Sequence, residues 1–187
     1  MFGALNPAIS LQLTIVTAQL IIQGTIKTRL RRLTNVLNEP DAEHLMLFDA
    51  TFMEVGSRRV VAKSGVAQVQ LADVLFVHTT GSTESGEEAR TPKQAIRTTL
   101  LAPPFTIEGT IHLPYEAELH QALDAFGGRF VPVTDASYWA YGVAELPNHV
   151  DILVLNHARA HVSIAAKVEW RKEAPPDIGP GRSTNTW

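Results

Sequence analysis

The sequence predicts a mainly β fold with short helices, an α+β chain made of two tandem copies of a small, strongly bent sheet related by a pseudo-twofold. Three observations predict it. The phrase LIIQGTIKTR at 20–29 returns as FTIEGTIHLP at 105–114. An offset of 85 residues matches Thr14 with Thr99, Ile22 with Ile107, Gly24 with Gly109, Thr25 with Thr110 and Ile26 with Ile111. After one inserted residue, an offset of 86 matches Leu33 with Leu119, Leu37 with Leu123, Asp49 with Asp135, Ala50 with Ala136 and Gly56 with Gly142.

The copies are expected at 13–80 and 98–165, separated by a flexible linker at 81–97 and followed by a disordered tail at 166–187. In the first copy, TIVTAQLIIQGTIKTR is rich in β-branched residues and broken by Gly24, as suits a long curved strand with a bend or bulge. LRRLTNVLNEP places Leu30, Leu33 and Leu37 on one face of a short helix that ends before Pro40. Its counterpart, YEAELHQALDAFGG, aligns Tyr115, Leu119, Ala122, Leu123 and Phe126 and is stopped by Gly127 and Gly128. HLMLFDATFMEV and RFVPVTDASYWAY are apolar runs, each holding one aspartate, which predicts strands buried on both faces. Asp49 and Asp135 are therefore expected as buried structural carboxylates held by backbone N–H groups. VAQVQLADVLFVHTT and VDILVLNHARAHVSIAA each read as two strands joined by a tight turn, near Ala72–Asp73 and Ala158–Arg159.

The linker, GSTESGEEARTPKQAIR, has too few large apolar residues to offset its ordering entropy. The prolines and glycines of RKEAPPDIGPGRSTNTW deny both helix and ladder to the tail.

Composition narrows the chemistry. The 187-residue chain has no cysteine, so disulfides, zinc–thiolate sites, iron–sulfur clusters and thiol nucleophiles are excluded. The apolar N-terminus lacks a basic leader region and is interrupted by Pro7, Gln12, Thr14, Thr17 and Gln19, which predicts a cytoplasmic protein without a membrane partner. A net charge of −3 offers no global attraction for nucleic acid. The charge is unevenly placed, however. The first copy carries seven basic residues against six acidic ones, the second two against seven. Lys27, Arg29, Arg31 and Arg32 concentrate on and before the first helix, where a solvated face, a phosphate or an acidic protein surface are the competing explanations.

The bent strand with Gly24 or Gly109, the following strand closing in LFDA (47–50) or VTDA (133–136), and the final strand–turn–strand together resemble the Sm-like (LSm-type) small β-barrel. The match covers about 65 residues of each copy. The resemblance implies a barrel-like framework. RNA-binding members of that family carry an asparagine five residues before the aspartate and an Arg-Gly pair in the last turn. Here His44 and Phe130 stand at the first place, and Gln70-Leu71 and Asn156-His157 at the second. A helix also separates the second and third strands. The RNA-contacting residues do not carry over.

Other motifs are sparse. His157 and His161 are four apart across a predicted turn and are the metal-ligand candidates weighed, but no metal site is assigned. No cofactor is expected: GSTESG lacks the lysine and following helix of a phosphate loop, and no G-x-S-x-G elbow is present. The function expected is a non-enzymatic assembly or binding module that associates with itself or another protein. Lys27, Arg29, Arg31, Arg32, Asn156 and His157 are its candidate partner-binding residues. One alternative is binding of RNA or single-stranded nucleic acid through the basic first copy, with Tyr138, Trp139 and Tyr141 as stacking residues. A second is a metal- or small-molecule-dependent activity in the second copy.

Overall fold

Ten strands form one antiparallel sheet in the computed structural model, which describes residues 7–30, 32–80, 93–114, 128–141 and 148–163. The strands are β1 (Ile9–Thr17), β2 (Leu20–Thr28), β3 (His44–Glu54), β4 (Val60–Gln70), β5 (Val74–Thr79), β6 (Lys93–Ala102), β7 (Phe105–Pro114), β8 (Phe130–Ala140), β9 (Asn148–Asn156) and β10 (His161–Ser163). One short helix, α1 (Leu33–Leu37), lies between β2 and β3, and a single 3-10 turn at His157–Arg159 joins β9 to β10. The spatial order is β10-β6-β7-β8-β9-β5-β1-β2-β3-β4. The first five strands thus run 5-1-2-3-4, and the second five repeat that order as 10-6-7-8-9.

The two groups of strands join where β5 pairs with β9, setting Phe76 against Leu155, Val77 against Val154 and His78 against Leu153. These are unlike strands, the fifth of one group and the fourth of the other. A pseudo-twofold of the kind expected from the sequence would match the β5–β9 joint with a β10–β4 pairing; the described residues do not form it, so the joint stands as a heterologous one.

β5 explains why its sequence, VLFVHT, lacks alternation. Val74 through His78 are all buried, because this strand stands between two cores. Val74 and Val77 pack with Leu13, Ile15, Ile22, Leu47, Val36 and Leu37, and with Phe130 and Val154 from the second group of strands. Leu75 and Phe76, with Val16, pack into the core of Leu100, Ile107, Ile111, Val133 and Leu153. Phe76 meets the rings of Phe105 and Tyr138 edge-on at 5.3 and 4.8 Å. Each core therefore borrows side chains from the other group of strands.

The glycine–aspartate spacing common to the two groups of strands is a bulge. Gln23 pairs with Thr51 and Thr25 with Phe48, so Gly24 faces both Asp49 and Ala50. Glu108 pairs with Ser137 and Thr110 with Thr134, so Gly109 faces Asp135 and Ala136. Asp49 and Asp135 take φ of 53° and 49°, the left-handed region in which aspartate is better tolerated than most residues.

Several expectations change. Asp49 and Asp135 are exposed, because the bulge turns both side chains to solvent. β3 alternates buried and exposed positions through its first half, so that part buries one face rather than two. α1 spans only Leu33–Leu37 and buries Val36 and Leu37, while Leu30 lies before it and is exposed. β1 begins at Ile9, ahead of the expected copy boundary at 13, and β6 begins at Lys93, inside the segment expected as linker. The expected helix at 115–126, the rest of the linker at 81–92 and the tail at 166–187 fall outside the described residues. The two strand–turn–strand endings form as expected, at 71–73 and 157–159. Among the described residues, no helix is long and apolar enough to cross a membrane.

Candidate functional site

Polar groups from both halves of the sheet converge where the β4–β5 turn meets the start of β8 and the end of β9. Asn38, just past α1, donates its amide N–H to the carbonyl of Phe130 at 2.7 Å and accepts from the Phe130 N–H at 2.8 Å. One side-chain amide thus satisfies both backbone groups of a strand's first residue, as a neighbouring strand does. Phe130 pairs in turn with Asn156.

Asn156 is almost wholly buried, and its amide nitrogen donates to the carbonyls of Val74 at 2.9 Å and Leu71 at 3.4 Å. Two carbonyl partners require a donor, which fixes the amide orientation. Its oxygen, buried as well, has no hydrogen-bond partner among the described residues. His157 is half-buried, and its Nε2–H donates to the carbonyl of Gly128 at 3.1 Å. Arg159 donates Nη1–H to the carbonyl of Ala72 at 3.0 Å and is otherwise exposed.

The sequence-predicted residues therefore separate. Asn156 reaches the first half of the sheet and His157 the Gly128 carbonyl of its own half, and both are spent on backbone groups rather than offered to a partner. His161 lies in β10 opposite Leu101, exposed, and no group of three or more metal-binding side chains occurs among the described residues. Lys27 pairs across β1 with Ser10, whereas the 71–74 turn approaches Thr17 at the strand's other end. Its ammonium sits 5.1 Å from the centre of the Phe48 ring. Arg29 is exposed, Arg32 is the exposed N-cap residue of α1, and Arg31 lies outside the described residues.

Two further polar groupings escaped the sequence reading. On the outer face of β8, Asp135 holds Arg97 at 2.6 Å, with His149 3.9 Å from its other oxygen and Ser137 3.3 Å from the His149 Nδ1. Serine, histidine and aspartate are in sequence, but the aspartate is committed to arginine and both it and the histidine are more than half exposed. Nothing there removes water from a nucleophile. Inside, the Tyr138 hydroxyl lies 3.0 Å from His78 Nε2, while His78 Nδ1 lies 3.3 Å from the carbonyl of Thr79. The carbonyl takes the Nδ1 proton, so the tyrosine donates to Nε2. Burial pushes the imidazole below its ordinary range and the phenol above its own. A histidine at the end of the apolar run VLFV was the available signal for this pair; nothing local pointed to its tyrosine partner.

A cavity of about 470 Å³ opens beside the same convergence, between the β1–β2 turn, the end of β4, Asp73 and Arg159. Thr17 shapes its wall by accepting from the N–H groups of Gln19 and Leu20 and donating to the Leu20 carbonyl. Neither a family model, a curated protein nor a solved structure matches this chain.

Proposed function

We propose that the protein is a non-enzymatic assembly module, built by tandem duplication of an Sm-like bent sheet, whose copies associate head to tail through free strand edges. The observation that carries this reading is the heterologous joint between β5 and β9. A joint between unlike strands leaves the complementary pair unused. Among the described residues β4 pairs only with β3, and β10 only with β6. β4 stands in the first half where β9 stands in the second, and β10 stands where β5 does.

The register of such a contact follows from the pairings within the chain. Leu45 faces Val69 as Val131 faces Leu155, and Ile15 faces Val77 as Leu100 faces Val162. Repeating the β5–β9 register between molecules therefore sets His161 against Val69, Val162 against Gln68 and Ser163 against Ala67. The β4 sequence supports an edge meant to be covered. Its eleven residues include one charge, Lys63, where solitary edges are usually guarded by several. Val60, Val61 and Val66 are about half exposed. A heterologous contact closes into a ring or extends as a filament, depending on the rotation per step.

The test uses the absence of native cysteine. Equimolar Gln68→Cys and Val162→Cys chains are mixed and mildly oxidised, with Tyr141→Cys replacing Val162→Cys as the control. The expected result is a heterodimer from the first mixture alone, together with wild-type sedimentation above the mass of one chain. Sedimentation as a monomer at every concentration, with no selective cross-link, overturns the reading.

A further inference from the structure

We infer that the cavity beside the β1–β2 turn binds a free apolar α-amino acid, with the side chain on the cavity floor and the two charged termini at its mouth. The floor is apolar: Ile22 and Val69 are buried, and Leu20 and Phe52 are half-buried beside them. The mouth holds one charge of each sign, Asp73 from the β4–β5 turn and Arg159 from the 3-10 turn after β9. Both are exposed, and neither is ion-paired with another described residue. Arg159 spends one N–H on the Ala72 carbonyl, which anchors the guanidinium next to Asp73 in the chain and leaves its other donors available.

A cation and an anion held apart above an apolar floor are complementary to a zwitterion with an apolar side chain. The α-carboxylate pairs with the guanidinium, the α-ammonium with the carboxylate, and the side chain is withdrawn from water. A purely apolar ligand leaves both charges unsatisfied, and a simple anion or cation uses only one of them. The volume of about 470 Å³ lies within the range of small-molecule sites and leaves room for leucine or phenylalanine. Because Arg159 comes from the second half of the chain and the floor from the first, the ligand bridges the β5–β9 joint.

The probes are L-leucine and L-phenylalanine, titrated by calorimetry and by thermal shift into the full-length protein. 4-Methylpentanoate and 3-methylbutylamine, which each retain one of leucine's charges, and glycine, which lacks its side chain, serve as comparisons. Binding of leucine or phenylalanine is expected, weaker by about tenfold or more for each comparison ligand and for Asp73→Asn and Arg159→Gln. Both substitutions are at exposed positions, and unchanged unfolding without ligand certifies their fold. Absence of binding by both amino acids at millimolar concentration overturns the inference, as does binding that either substitution leaves unchanged. Neither outcome bears on strand-edge assembly, which the cross-linking experiment reads separately.

Discussion

Gly109 and Asp135 face each other across the β7–β8 bulge, where a residue without a Cβ meets one with a left-handed backbone. A Cβ on Gly109 would lie 2.4 Å from Val133 Cγ1, 3.2 Å from the Thr134 carbonyl oxygen and 3.4 Å from the Ala136 Cα. The strands approach this closely because Asp135 turns left-handed, with φ of 49°. Gly24 and Asp49 repeat the arrangement, with 3.2 Å to the Phe48 carbonyl oxygen as the nearest approach.

Alanine at either glycine is therefore expected to destabilise the protein by about 1–3 kcal/mol in urea or guanidinium unfolding. Gly109→Ala should be the worse of the two, because Val133 is fully buried and β-branched and has nowhere to move. Equal effects would show that the neighbours relax more easily than their packing implies.

At Asp49 the backbone conformation, not the carboxylate, is what the fold requires. Asp49→Gly should stay within about 0.5 kcal/mol of wild type, since relief at positive φ is offset by a freer unfolded chain. Asp49→Val should lose about 1–2 kcal/mol or more, because a β-branched residue resists that φ. Denaturant midpoints of the two variants decide whether conformation or charge matters.

Asn38→Ala removes both hydrogen bonds to Phe130 and strands two backbone groups at the start of β8. A loss of about 1–3 kcal/mol is expected. Amide hydrogen exchange should locate it at Phe130 rather than at α1, which distinguishes a broken link to β8 from a weakened helix.

Phe76→Ala should cost about 3–5 kcal/mol, since the side chain is fully buried between Phe105 and Tyr138. The residue belongs to the first group of strands and the core to the second. A single cooperative transition that shifts as a whole is expected in calorimetry. Two separated transitions would mean that the groups of strands unfold independently.

The buried His78 makes stability depend on pH. Burial holds the folded imidazole below its ordinary value of 6.5, so the unfolded chain takes up the proton first as pH falls. The contribution of the neutral ring is fully present above about pH 6.5 and is lost as pH drops from there through the lower folded value. His78→Gln should flatten this part of the curve of urea midpoint against pH between 8 and 5. An unchanged curve would place the dependence elsewhere.

Much of the local framework was legible in the sequence. Gly24 marked a bend or bulge before its geometry was seen, since a close approach of strands admits only glycine, but the left-handed aspartate opposite it was not read from the sequence. The β-branched runs marked strands, and Ala72–Asp73 and Ala158–Arg159 marked the turns that join the last strands of each group. The exposure of Asp49 and Asp135 was not legible, because an apolar neighbourhood in sequence says nothing of which way a bulge turns its side chain. Nor was the β5–β9 joint. Periodicity reports which face of a strand is buried, but edge pairing is made by backbone groups that every residue carries. Only the tertiary structure decided that unlike strands meet, that Phe76 fills the other group's core, and that Asn38, Asn156 and Arg159 reach the same corner. Those contacts link residues about ninety positions apart, a range over which the order of side chains along the chain carries no record of distance.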